Sequence, residues 1–285
     1  MTYFAPNSLD DALDVLAAGA QIVAGGTDHF PAAGQSVPDR DLLDITRIET
    51  LRGIWPEGKD QGGGWWIGGA TTWAEIRDAD LPPAFCGLQQ AAREVGARQI
   101  QNAATLGGNI CNASPAADGI PPLLVLDAEV HLASVSGKRV IALSQFLRGV
   151  RKTARHKDEI LIGVRIPPAR GLASAFEKLG ARQYLVISIA MVAVAVRLKA
   201  GCLDDLRVAV GACSPVATRL GALEQRLQGT PVSGLADPAL VRPQDLSALA
   251  AIDDVRATAG YRLDAAAELI RRAMTSAAGL AVRHD

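Results

Sequence analysis

Two glycine pairs, Gly25-Gly26 and Gly107-Gly108, constrain this chain more than any other feature. The first lies in a run of Val23, Ala24, Gly25, Gly26, Thr27 and Asp28. The second lies in residues 104–115, which also carry Thr105, Asn109, Asn112 and Ser114. Glycine lets a backbone approach a ligand closely and reach positive φ without strain. Successive N–H groups in such a loop form a concavity suited to phosphate oxygens. Two such loops in one domain suit a ligand with a pyrophosphate in its middle and contacts on both sides, and a dinucleotide fits. Neither run has the G-x-G-x-x-G or G-x-x-x-x-G-K-[ST] form, which disfavours the ordinary dinucleotide fold and the P-loop. Taken alone, Gly25-Gly26 reads more readily as a turn. The second run is more specific, because short hydroxyls and amides can donate to phosphate and ribityl oxygens while taking little space. Asp118 follows at helix-start distance, where it either accepts from a sugar-like hydroxyl or acts as an N-cap.

Charge and cysteine usage remove several other functions. The 29 basic and 30 acidic residues nearly cancel, which leaves no electrostatic case for nucleic acid or an acidic membrane. The longest apolar run, 187–196, is too short to span a bilayer and reads as a buried strand. The first residues lack the regions of a signal peptide, so a cytoplasmic location is expected. Cys86, Cys111, Cys202 and Cys213 form no C-x₂-C pair and match neither a zinc nor an iron–sulfur spacing. Reduced, buried thiols and no metal site are expected.

The pattern predicts mixed helix and strand. Ser8 caps a helix with Leu9, Leu13, Leu16 and Ala17 on one face. Strands are expected at 21–24, 42–45, 65–69, 129–133, 138–143 and 159–166, with the region 56–64 a loop. Thr72 and Glu75 have capping-box spacing, and 83–95 reads as helical. Pro121 and Pro122 sit near a helix start. Beyond a boundary at 167–171, strands at 175–179, 187–198 and 206–212 form a three-stranded sheet. A helix at 216–227, an irregular stretch at 230–250 and a long amphipathic helix at 264–281 pack with it.

The two glycine segments together resemble the FAD-binding subunits of the molybdenum hydroxylases, the family of xanthine dehydrogenase and the carbon monoxide dehydrogenase medium subunit. The resemblance extends to residues 176–182, Phe-Glu-Lys-Leu-Gly-Ala-Arg, and to residues 254–262. The latter segment is similar to the family's Asp-x-Arg-x-Ser-x-x-Tyr-Arg, with Thr258 for serine. It implies an α+β fold: a two-lobed, vanillyl-oxidase-type FAD domain with lobes at 1–55 and 56–170, then a small α+β domain at 171–285. It also implies contacts. Val23, Ala24, Gly25, Gly26, Thr27, Asp28 and His29 would wrap the pyrophosphate side. Thr105, Gly108, Asn109, Asn112 and Asp118 would hold the other side and the ribityl chain. Ile162 would be an apolar contact near the ring system, and Lys178 an electrostatic group close to the flavin.

Two positions depart from the family. His29 stands where many members are apolar, and it does not match the usual linkage site, so FAD is expected to be non-covalent. Gln101 replaces a common arginine. The chain has no molybdopterin domain and no cluster ligands. A molybdopterin-binding large subunit and a small subunit with [2Fe-2S] clusters are therefore the implied partners. The implied function is an oxidoreductase subunit that takes electrons from iron–sulfur clusters and passes them through FAD to NAD⁺, a quinone or O₂. The alternatives are a stand-alone FAD-dependent oxidoreductase of the same fold and a scaffold protein that has lost flavin.

Overall fold

The strand Ile160–Ile166 is strongly apolar, and all but one of its residues are buried. Around it the chain builds a five-stranded antiparallel sheet in the order Ile54–Pro56, Trp65–Gly68, Ile160–Ile166, Glu129–Ser134, Gly137–Ala142. The computed structural model describes residues 1–33, 40–58 and 63–284. Residues 59–62 of the expected loop 56–64 lie outside them. Ile54–Pro56 is an edge strand that the sequence reading missed, and Pro56 suits an edge because it has no N–H to donate. The chain divides into two compact units. One comprises Met1–Ile76, Arg98–Ala113 and Ala128–Pro168; the other comprises Arg77–Ala97, Ser114–Asp127 and Ala169–Asp285.

The first unit also holds a three-stranded parallel sheet, with Leu42–Asp44 between Tyr3–Phe4 and Gln21–Val23. The helix Leu9–Ala17 carries the chain from one outer strand, Tyr3–Phe4, to the other, Gln21–Val23, so that the two run in the same direction on either side of Leu42–Asp44. Ser8 caps the helix by accepting from the Asp11 N–H at 3.2 Å. Its inward face is Ala12, Leu13 and Leu16; Ala17 is exposed because the helix ends there and Gly19 turns away at φ +101°. The expected capping box forms: Glu75 accepts from the Thr72 N–H at 2.8 Å, and Thr72 Oγ1 accepts from the Glu75 N–H at 3.3 Å.

The second unit is a four-stranded antiparallel sheet, Ala173–Leu179, Ala190–Lys199, Cys202–Gly211 and Thr218–Arg219 in sequence order. The fourth strand was not expected. Thr218 and Arg219 pair with Val210 and Ala209, so the helix expected from 216 begins only at Gly221. The strand expected from 187 starts at Ala190, and Ile187 is exposed. The long helix Ala259–His284 buries Ala266, Ile270, Ala273, Met274 and Ala277 in a core with Val192, Val194, Val208 and Val210. Before it, the segment similar to the family's Asp-x-Arg signature folds around Arg262, which is 1% exposed. Its guanidinium donates to the carbonyls of Ile189 and Ala212 and to Asp254 Oδ1. Among the described residues, no helix is long and apolar enough to cross a membrane.

Candidate functional site

In the first unit, the parallel strand Gln21–Val23 delivers the chain to the first glycine segment, which turns into the short helix His29–Ala33. Gly25 is required by a close approach, because a Cβ there would lie 1.8 Å from the carbonyl oxygen of Ala103. Gly26 takes φ +68°, a left-handed conformation that disfavours side chains. Among the described residues, the backbone N–H groups of residues 24–29 donate to no other backbone group. Ala24, Gly25, Gly26, Thr27 and His29 are half-buried, and Asp28 is exposed. A run of donors with no backbone acceptor suits anionic oxygens. The Nε2 of His29 is buried and lacks a partner, while its Nδ1 lies 3.5 Å from Gln21 Nε2.

The second glycine segment is a helix rather than the expected loop: Leu106–Asn112, with Thr105 as N-cap. Its first N–H groups are already used. Leu106 donates to the carbonyl of Thr71 and Gly107 to that of Gly69, each at 2.9 Å. Gly108 donates to Thr105 Oγ1 at 3.1 Å, and Asn109 to the Thr105 carbonyl at 3.0 Å. Neither glycine has positive φ. Two glycines weaken a helix, and packing explains the first of them: a Cβ on Gly107 would lie 2.6 Å from the Gly69 carbonyl oxygen. Gly108 is exposed and leaves bare backbone on the helix surface. Ligand capacity here therefore rests on side chains. Asn109 Oδ1 is buried without a partner, while Asn112 Oδ1 accepts from Arg151. Cys111 lies on the same helix, and burial pushes its thiol up to about 11, so it stays neutral and unreactive.

Ile162 is buried at a bulge in the central strand, and its carbonyl accepts from the Gly69 N–H at 3.0 Å. The first unit thus carries Val23 to His29, Thr105, Gly108, Asn109, Asn112 and Ile162. The second carries Asp118 and Lys178, and it joins them directly. Lys178 Nζ donates to Asp118 Oδ2 at 2.7 Å and to the Glu94 carbonyl at 3.2 Å, and Ser188 Oγ donates to Asp118 Oδ1 at 2.6 Å. The Lys178 and Asp118 side chains are 6% and 9% exposed. Burial raises the Asp118 carboxyl above its ordinary range, against the opposing pull of Lys178 and Ser188. Asp118 is not the cap of the helix that follows; Gly119 holds that position. Sequence reasoning missed Ser188 and Arg151, neither of which lies in a recognisable motif.

Among the described residues, no three His, Cys, Asp or Glu side chains are grouped to hold a metal ion. The four cysteines are free. Cys213 is buried; the other three are half-buried, fewer fully buried thiols than the composition suggests. The N–H run without backbone acceptors, the bare helix surface at Gly108 and the orphaned Asn109 oxygen fit a ligand that is anionic at one part and rich in hydroxyls at another.

Comparison with known proteins agrees with that ligand class. Residues 1–169 match the family described as FAD binding domain in molybdopterin dehydrogenase, and residues 174–277 match the CO dehydrogenase flavoprotein C-terminal domain. The xanthine dehydrogenase FAD-binding subunit of Escherichia coli O157:H7 is 33% identical over 241 residues, covering 81% of this chain and 80% of that protein. A solved structure of carbon monoxide dehydrogenase from Hydrogenophaga pseudoflava, lacking the Mo-pyranopterin moiety, superposes with a TM-score of 0.87 at 27% identity and covers 98% of both chains. Quinoline 2-oxidoreductase from Pseudomonas putida 86 gives a TM-score of 0.87 at 26% identity, covering 99% of this chain and 98% of that one.

Proposed function

Because this chain belongs to the family of FAD-binding domains of molybdopterin dehydrogenases, with the C-terminal domain of the CO dehydrogenase flavoproteins, we propose that it is the electron-transfer flavoprotein subunit of a xanthine dehydrogenase-like complex. When bound, FAD supplies redox chemistry that no side chain here can provide. The observation that carries this reading is the run of N–H groups at 24–29 that donate to no backbone carbonyl. These groups would hold the diphosphate, with Gly25 and Gly26 giving the close approach. Asn109 and Asn112 would take ribityl or ribose hydroxyls, the exposed backbone at Gly108 would let the ligand lie against the helix, and Ile162 would give an apolar contact. Thr105 would act mainly by capping that helix.

In the second unit Asp118 would accept from a ligand hydroxyl with a lone pair that Lys178 and Ser188 leave free. Lys178 would supply positive charge that favours a reduced, anionic ring. The division into lobes at 1–55 and 56–170 and a C-terminal domain at 171–285 accompanies this reading. A molybdopterin-binding large subunit and an iron–sulfur small subunit would be its partners, and NAD⁺, a quinone or O₂ its acceptor.

Purified chain should be yellow, and acid precipitation should release the flavin to the supernatant. Isolation from the native cell should recover a molybdenum and an iron–sulfur chain with it. Colourless protein that takes up no FAD would overturn the reading, and turnover of an organic substrate by the lone chain would replace it with a stand-alone flavoenzyme.

A further inference from the structure

We propose that Arg151 offsets the charge of Asp28, so that the N–H run at 24–29 faces the diphosphate of a dinucleotide with less competing negative charge. The inference rests on the FAD-site reading above and adds a residue that neither glycine segment contains. Arg151 sits in the tight turn between the paired strands Leu147–Gly149 and Lys152–Thr153. It takes φ +56°, a conformation that glycine or asparagine adopts at less cost in such a turn. Its N–H donates to the carbonyl of Ala113 at 2.9 Å, and Ala113 is itself left-handed, at φ +46°. The turn is thereby fixed to the end of the helix Leu106–Asn112. From this position the guanidinium donates to Asn112 Oδ1 and lies 4.0 Å from Asp28 Oδ1. One cation therefore bonds to the second candidate segment and faces the carboxylate of the first.

The charge logic gives this contact a purpose. Asp28 is the sole acidic residue between Val23 and His29, and its side chain is 62% exposed. A phosphate held by the neighbouring N–H groups would meet a like charge within a few ångströms. Arg151, 4.0 Å away, offsets part of that charge. Strain retained at a turn where a small residue would fit better is the kind that persists at binding sites.

The test is a double-mutant cycle read by FAD titration of the full chain, at low and at high salt. Arg151→Asn and Arg151→Gly both suit the left-handed turn, so urea denaturation should show unchanged or higher stability. Arg151→Asn should weaken FAD binding about tenfold at low salt, and less at high salt where the exposed Asp28 is screened. Asp28→Asn should bind FAD more tightly than the native chain, and Asp28→Asn with Arg151→Asn should return to within about twofold of native. Equal binding by Arg151→Asn and the native chain overturns the proposal. So does a loss that Asp28→Asn fails to relieve, which would make Arg151 a direct ligand or a purely structural residue. A native chain that binds no FAD at all refutes the FAD-site reading itself, and this proposal with it.

Discussion

Replacing Gly25 with alanine tests whether the first glycine segment is held by packing against the residue that leads into the second. The added Cβ would stand 1.8 Å from the Ala103 carbonyl oxygen, 2.4 Å from its carbon and 2.8 Å from the Ala104 nitrogen. All three are backbone atoms, so no rotamer change relieves the clash, and the segments must separate by about 1.5 Å to reach ordinary contact. Such overpacking costs about 1–3 kcal/mol. It also moves the N–H groups of 24–29 away from their positions, and a shift of that size is about half the length of a hydrogen bond. Gly108→Ala is the matched control: its φ is not positive, and the nearest atom is the Thr105 hydroxyl at 2.9 Å. A helical Gly→Ala gain of up to about 1 kcal/mol offsets that crowding. Urea denaturation of the FAD-free chains should therefore show Gly25→Ala destabilised and Gly108→Ala close to native. FAD titration should show both weakened, the second because a methyl group now covers the bare helix surface. Native stability in Gly25→Ala would refute the packing argument, and native FAD affinity in Gly108→Ala would refute the ligand-facing role of that helix.

Lys178→Met leaves Asp118 buried without its cation and should cost about 3–5 kcal/mol, with Lys178→Met plus Asp118→Asn recovering part of the loss; a double variant no more stable than the single one would count against the pair. Asp254 is held at about 2, first by the Arg256 N–H and then by the side chains of Arg256 and Arg262. Its folded pKa lies below its unfolded value of 3.8, so the stability it adds is present above pH 4 and lost as pH falls towards 2. The share is on the order of 1 kcal/mol after solvent screening. Asp254→Asn should flatten the acid limb of the stability curve in that window, and an unchanged limb would refute the assignment. Burial pushes Cys111 and Cys213 up to about 11, so native-state alkylation at pH 8 should be far slower at both than in the urea-unfolded chain, as mass spectrometry of the labelled peptides would show.

What could be read from the sequence follows how local each cause is. The capping box at Thr72, the Ser8 cap and the strands around Ile160–Ile166 depend on residues a few positions apart, and all appear in the structure. The second glycine segment was misread because two adjacent glycines normally argue against a helix. Here Gly107 is needed only because the Gly69 backbone lies 2.6 Å from where its Cβ would be, a contact 38 residues away that no local pattern reports. The short strand Thr218–Arg219 was missed for the same kind of reason. Its pairing with the end of Cys202–Gly211 replaces the first turns of a helix that its own composition favours.

The candidate site shows the same limit in its chemistry. Glycines, amides and hydroxyls at 23–29 and 105–112 announce a ligand because their residue types are the signal. The charged candidates of the second unit act by pairing, and pairing is invisible in a linear chain. Asp118 read as an N-cap or a hydroxyl acceptor; Gly119 takes the cap, and the Asp118 carboxylate is shared between Lys178, 60 positions on, and Ser188, 70 positions on. That sharing has a consequence for chemistry. A lysine tied to a buried carboxylate contributes much less net field than a free one, because the pair is a dipole. Any influence of Lys178 on a bound ring must then depend on the direction of the Lys178–Asp118 dipole, which Ser188 holds from its negative end. Removing the Ser188 hydroxyl should therefore alter the flavin's reduction potential even though Ser188 carries no charge, whereas a lysine acting alone would leave the Ser188→Ala potential at its native value.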